Sequence, residues 1–279
     1  MTTTETPAVH SPAADEAASA GRTLRAVKVM WQREWIRFSR NKMRILMGMI
    51  TPMMFLLILG TGLNGTVGGA DYRAYLFPGV LLMAVQSPAM AVGISIVWDR
   101  QSGFLRQMLV APVRRGALLA GLCLGGATTG AVYGLLVLLV AGYAGIPYGP
   151  ELLLGLLEVA LVAFTFTAIG VLAAVRIRRI DTFQIVVGIA VMPMLFLSGA
   201  MFPVGGLPAW LGTAVLLNPL TYGVDALRRT LPGDLDLGGS AVGPRWWDWT
   251  PPVLLEVGIV ALIAFVALAA ATRRFARAD

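Results

Sequence analysis

Long uncharged apolar runs alternate along the chain with short segments that hold nearly all of its charge. A helix rises about 1.5 Å per residue, so about 20 apolar residues cross a bilayer core. Six stretches reach that length, at 43–63, 74–98, 116–146, 152–175, 182–202 and 253–272. They predict an all-α polytopic membrane protein. A seventh uncharged stretch, 205–224, contains Pro208 and Pro219, which break helical hydrogen bonding and suit a pair of half-helices better than a plain span.

Two polar segments carry a periodicity of their own. Between residues 23 and 42, Leu24, Val27, Trp31, Trp35 and Phe38 recur at steps of three and four, with the arginines largely on other faces. This is either a basic amphipathic helix lying on the inner membrane face or a helix extending the first span into water. Its role would be anchoring, or transmission of motion from a partner. Between the second and third spans, Phe104, Leu105, Met108 and Leu109 form an apolar face on a short predicted helix bounded by Gly103 and Pro112. A loop too small for its own core must bury that face in lipid or in a protein groove.

Composition agrees with the pattern: 57% of residues are hydrophobic and 13% charged, with a mean hydropathy of +0.75. The net charge of +7 does not indicate nucleic acid, because the basic residues flank apolar spans instead of forming a patch. Eight basic residues lie at or before Arg44, four in 99–115 and three in 176–179, against one in 65–73 and none in 147–151. The first four spans therefore run with the N-terminus inside. Whether or not 205–224 crosses, the totals stay at eighteen against four, so charge alone leaves six and seven spans tied. All seven tryptophans fall near span ends or in the amphipathic segment, where belt anchoring is their default role. Residues 1–22 read as a disordered tail, and no secretory signal fits the start.

The chemistry available inside the spans is sparse. Cys123 is the only cysteine and His10, in the tail, the only histidine, which removes disulfides and histidine-based metal sites. Ser198 next to Gly199 has no histidine base in any span, so a serine protease is excluded. Lys28 and Lys42, the only lysines, lie outside glycine-rich turns, and no phosphate-binding loop exists. Two acids, Glu158 and Glu256, sit at similar depth within spans, as contacts for a cationic substrate or as structural hydrogen-bonding groups. Met192, Met194 and Phe196 offer soft surface for a lipophilic cavity or for core packing. Gly126, Gly130 and Gly134, and likewise Gly121 and Gly125, permit close helix contact. An ion-coupled transporter or channel using Glu158 and Glu256 is the rival to an exporter. A purely structural anchor leaves the apolar loop helix unexplained.

Two stretches resemble the permeases of ABC-2-type exporters, including those like the daunorubicin-resistance multidrug permeases. The first is the loop with Asp99, Arg100, Gly103, Leu105, Leu109, Ala111, Pro112 and Val113; the second contains Ser198, Gly199, Pro203, Leu207, Pro208, Trp210, Asn218, Pro219, Leu220, Thr221, Tyr222, Asp225, Ala226, Leu227 and Arg228. Asp99 stands where the family often has Glu. The resemblance implies that the loop from Asp99 to Pro112, including Phe104 and Met108, is a coupling helix docking on a separate ATPase subunit. It also implies that 205–224 re-enters from the outer side, forming with Ser198, Gly199, Phe202, Pro203, Pro208, Asn218 and Pro219 an outer gate. Six spans follow, within a transmembrane domain at 43–272, with both termini and the 273–279 tail cytoplasmic. The implied assembly is a permease dimer, of two identical or closely related chains, with two ATPase subunits that bind ATP and Mg. This chain would then hold no cofactor and perform no catalysis. The implied activity is export of amphipathic drugs or lipid-like molecules across the cell membrane, as in multidrug efflux and antibiotic resistance.

Overall fold

The computed structural model describes residues 12–63, 72–103, 114–204, 207–232, 243–244, 246 and 249–277. Among the described residues all regular structure is helical, apart from one β-bridge between Trp246 and Trp249. Helix α1 (Pro12–Arg40) starts on a proline, whose fixed φ and missing N–H suit a first turn. It therefore begins well before residue 23, within the segment expected to be a disordered tail. Arg37 and Arg40 lie in its last turn, where cations complement the exposed carbonyls. Asn41 then separates it from α2 (Lys42–Gly62), its side-chain oxygen accepting from the Arg44 N–H at 3.1 Å. The amphipathic helix is thus a separate element, and not a direct continuation of the first span.

The chain continues through α3 (Tyr72–Ala91), α4 (Ile94–Gln101), α5 (Arg115–Leu138), α6 (Glu151–Arg176), α7 (Ile180–Phe196), α8 (Ala209–Leu217), α9 (Pro219–Thr230) and α10 (Val253–Arg277). Among the described residues, five helical stretches are long and apolar enough to cross a membrane: Lys42–Gly62, Tyr72–Gln101 (α3 with α4), Arg115–Leu138, Glu151–Arg176 and Val253–Phe275. The stretch expected as a fifth span, 182–202, contains the apolar helix α7, which at 17 residues is shorter than these five. It stops early because Gly199 turns the backbone to φ +75°, and the Ser198 hydroxyl donates to the Leu195 carbonyl at 2.6 Å. The third span, expected to reach residue 146, ends at Leu138; a 3-10 turn (Ala141–Ala144) and Gly145 at φ +77° follow. At about 1.5 Å per residue the observed helix already exceeds a bilayer core, and the remaining apolar residues pack as a turn.

Helix α3 is the centre of the bundle, buried along most of its length and packed against α2, α5, α6, α7 and α9. Glycines let α5 and α6 approach. A Cβ on Gly126 would lie 2.0 Å from Thr167 Oγ1, one on Gly130 2.2 Å from the Ala163 Cβ, and one on Gly134 2.5 Å from Val159 Cγ1. The pairing descends one helix as it climbs the other, so the two are antiparallel. Gly121 and Gly125 accept α1 in the same manner, against the Val27 carbonyl and the Glu34 Cβ, each at 2.6 Å. Both glycine stripes are filled from within the chain. At the break between α3 and α4 another close contact occurs, a Cβ on Gly93 falling 2.5 Å from the Gly170 carbonyl. By contrast, α2 and α7 present exposed apolar faces, including Leu46, Met47, Ile50, Ile185 and Ile189, as a lipid-facing surface would.

The stretch 205–224 forms parts of two short helices, α8 and α9, divided at Asn218–Pro219. Pro219 takes the first helical position of α9, where its missing N–H costs nothing, and the Asn218 side chain accepts from the Leu220 N–H at 3.1 Å.

Candidate functional site

The first motif begins on α4, at the end of the bundle that carries Arg100, Arg115 and Arg176, hereafter the arginine-rich end. Asp99 is buried, and Arg33 of α1 donates Nη1 to its Oδ2 at 2.8 Å. Arg33 Nη2 also donates to Glu34 Oε1 at 3.2 Å. Arg37 Nη1 lies 3.5 Å from the same Glu34 oxygen and donates to the Ser95 hydroxyl, which itself donates to Glu34 Oε2 at 3.3 Å. Two carboxylates, two guanidiniums and a hydroxyl thus bind α1 to α4. Glu34 is only 5% exposed, and burial at that level is tolerated because each of its oxygens has a donor.

Arg100 faces the opposite way. Its guanidinium donates to the carbonyls of Val175 and Ile177, each at 3.2 Å, and of Ala174 at 3.5 Å. These are acceptors that the end of α6 leaves unpaired, and a cation there also complements the helix dipole. Gln101 adds a bond to the Arg178 carbonyl at 3.2 Å. Gly103 closes the helix at φ +73°, a conformation that favours glycine. Asp99, Arg100 and Gly103 therefore share one short stem, clamped by α1 on one side and by the α6 terminus on the other. Phe104, Leu105, Met108, Leu109 and Pro112 lie outside the described residues.

The amphipathic stripe on α1 divides in two. Phe38 is buried with its ring 5.7 Å from that of Tyr133, Trp31 donates its indole N–H to Thr128 Oγ1 at 2.9 Å, and Val27 meets Gly121. Leu24, 75% exposed, and Trp35 point away from the bundle. Glu34 escaped the sequence reading, although it stands three residues after Trp31 and four before Phe38. That spacing puts an acid in the middle of the apolar stripe, a position that calls for a buried partner.

At the far end, the residues of the second motif hold α7, α8 and α9 together. The Gly199 carbonyl accepts from Tyr75 Oη at 3.0 Å and from Arg228 Nη2 at 3.1 Å, and the Arg228 guanidinium lies 4.5 Å from the centre of the Tyr75 ring. Asn218 Nδ2 donates to the Met194 carbonyl at 2.6 Å. Pro208 precedes α8 as its N-cap, Phe202 is exposed beside Phe196, and Pro203 follows in the connection. Glu158 accepts from Thr230 Oγ1 at 2.6 Å, while Glu256, fully buried, has Arg229 at 3.6 Å and no hydrogen-bond donor on either oxygen. Asp225 also pairs with Arg229. The polar contacts of both acids go to α9, whereas Met192 and Phe196 are exposed on α7 and Met194 touches Gln86. No hydrogen bond or ion pair among the described residues joins the two acids to these three residues of α7. Ser198, engaged with the backbone at Leu195 and Ala200, is a turn-forming residue.

The sequence profile described as ABC-2 type transporter matches residues 25–231. Nodulation protein J of Rhizobium leguminosarum bv. trifolii is 30% identical over 210 residues, covering 73% of this chain and 80% of that protein. The inner membrane transport permease YadH of Escherichia coli (strain K12) is 27% identical over 218 residues, 76% and 85% of the two chains. The putative transport permease ycf38 of Cyanophora paradoxa is 24% identical over 208 residues, 72% of each. The match includes both segments on which the resemblance rests, the α4 stem with its loop and the stretch through α7, α8 and α9.

Proposed function

This chain belongs to the ABC-2 type transporter family, and from that premise we propose that it is the membrane subunit of an exporter driven by ATP hydrolysed in a partner chain. It would work as a dimer with two ATPase subunits, in the cell membrane, with six spans, re-entrant α8 and α9, and both termini inside. The cargo would be amphipathic drugs or lipid-like molecules. The observation that carries the reading is the α4 stem. The segment 104–109, whose sequence holds Phe104, Leu105, Met108 and Leu109, comes directly after a helix fixed by Asp99 to α1 and by Arg100 to α6. Force applied to such a loop reaches two further helices through ion pairs and hydrogen bonds, without needing a soluble domain. Exposed Leu24 and Trp35 on α1 suit the headgroup layer, so α1 would tilt at the membrane surface as the stem moves.

The ion-coupled alternative relies on Glu158 and Glu256. Their attachment to Thr230 and Arg229 of α9 supports a structural role, in which they fasten α9 to α6 and α10. The coupling assignment is tested by co-expressing the chain with a candidate partner ATPase and substituting Leu105→Asp together with Leu109→Asp. The expected outcome is loss of co-purification and of ATP-dependent transport. If both persist, the loop is not the docking element.

A further inference from the structure

A cleft of about 480 Å³ opens at the arginine-rich end, between the last turns of α1, the first turn of α2, the α3–α4 break and α5. Glu34 and Asp99 line it, and both Glu34 oxygens and Asp99 Oδ2 already have Arg33, Arg37 or Ser95 as partners. Arg44, also in the lining, is exposed, and among the described residues no carboxylate lies within ion-pair distance of it. Tyr133 Oη donates to the Arg44 carbonyl at 3.1 Å and so fixes the turn from which that guanidinium projects. With Arg33, Arg37 and Arg44 set against Glu34 and Asp99, the cleft and its immediate backing carry a surplus of one positive charge. Three of the four carboxylate oxygens are engaged by Arg33, Arg37 and Ser95, whereas Arg44 has no such partner among the described residues, so the cationic group left to meet a ligand favours an anion.

The place of the cleft in the membrane narrows the choice. Arg40 and Lys42 are exposed on one side of it, and the exposed apolar residues Leu46, Met47 and Ile50 follow within two turns along α2. A change from exposed basic to exposed apolar side chains marks the bilayer boundary, so the cleft lies at headgroup depth. Trp98, 55% exposed and part of the lining, is an amphipathic ring at the same level. A free anion would make no use of these apolar surroundings.

We propose that this cleft binds the head of an anionic membrane phospholipid, with Arg44 as the phosphate ligand, Asn41 as a neutral partner, and the acyl chains along Leu46, Met47 and Ile50 of α2. Basic pockets between membrane helices hold lipid phosphates in this way, because a planar guanidinium matches the phosphate oxygens and the low local dielectric strengthens the contact. The inference requires only that the chain sit in a membrane. It stands apart from the exporter reading.

The test uses the full chain in detergent micelles, titrated with phosphatidylglycerol brominated on its acyl chains. The signal is the fluorescence quenching that disappears in Trp98→Phe. Saturable quenching is expected, weakened about tenfold by Arg44→Gln, the loss of one charge-assisted contact. Arg44→Lys should retain most of the affinity, and Arg273→Gln, an exposed arginine on α10, all of it. Continued protection of buried Cys123 from thiol reagents confirms folding of each variant. Four results would each overturn the proposal: no effect of Arg44→Gln, an equal effect of Arg273→Gln, equally tight binding of brominated phosphatidylcholine, or displacement by soluble glycerol phosphate at the same concentration as the lipid. The last would make the cleft a site for a free anion.

Discussion

The contact between Arg33 and Asp99 gives the sharpest quantitative prediction. The nitrogen and oxygen are 2.8 Å apart, and the side chains are 23% and 11% exposed. With charge centres about 4 Å apart and an effective dielectric near 20, the gross attraction is about 4 kcal/mol. Desolvation of both groups and partial access of water to Arg33 reduce the net coupling to about 1–2 kcal/mol. Arg33→Gln removes the cation from buried Asp99 and leaves Glu34 with Arg37 and the Ser95 hydroxyl, so its own cost is about 2–4 kcal/mol. Asp99→Asn keeps the Arg33–Glu34 pair and costs less. The assay exploits Cys123, the sole cysteine, which is buried in α5 against which α1 packs. Its rate of labelling by a thiol-reactive fluorophore, followed on heating in detergent, reports loss of that packing. Stability changes for Arg33→Gln, Asp99→Asn and the double variant close a cycle, and the double variant should fall short of the sum by the coupling energy. Additivity within about 0.5 kcal/mol would refute the claim that this pair joins α1 to the α4 stem.

The same Cys123 measurement reads the other contacts. Gly126→Ala and Gly130→Ala force a methyl into Thr167 and Ala163, at a cost of about 1–3 kcal/mol each. Gly212→Ala, in α8 with nothing within 4 Å of its would-be Cβ, should be neutral or slightly stabilising. Asn218→Ala removes both the cap on α9 and the bond to the Met194 carbonyl, costing about 1–2 kcal/mol, while Asn218→Asp should preserve the cap. Arg228→Lys loses the planar contact with Tyr75 and the oriented bond to Gly199, for about 1–2 kcal/mol, and an unchanged midpoint would show that this contact does not hold α9 in place.

The apolar periodicity located the spans because a bilayer imposes one length on every crossing helix. It could not locate where a helix stops inside an apolar run. Leu138 is followed by residues as hydrophobic as those before it, yet the chain passes there into a 3-10 turn that Gly145 closes, and α7 ends three residues before Gly199 reverses the backbone. The break at Asn218–Pro219 was readable, since proline acts through the backbone alone. Of the site at the arginine-rich end, Asp99 and Arg100 could be picked out by their place in a motif. Their partners could not, because Arg33 and the α6 carbonyls are distant in sequence and meet only through tertiary packing. Glu34 was detectable in principle from its register with Trp31 and Phe38. Glu158 and Glu256 lie in helices long enough to cross a membrane, and their contacts to Thr230 and Arg229 depend on the fold of α9.

The most direct test of the account is flux through proteoliposomes that contain this chain with or without a partner ATPase of the ATP-binding cassette type, loaded with a fluorescent amphipathic reporter. Efflux should require both chains together with ATP and Mg, and should persist when proton and sodium gradients are collapsed by ionophores. Efflux by this chain alone, driven by an ion gradient and abolished by Glu158→Gln with Glu256→Gln, would contradict it.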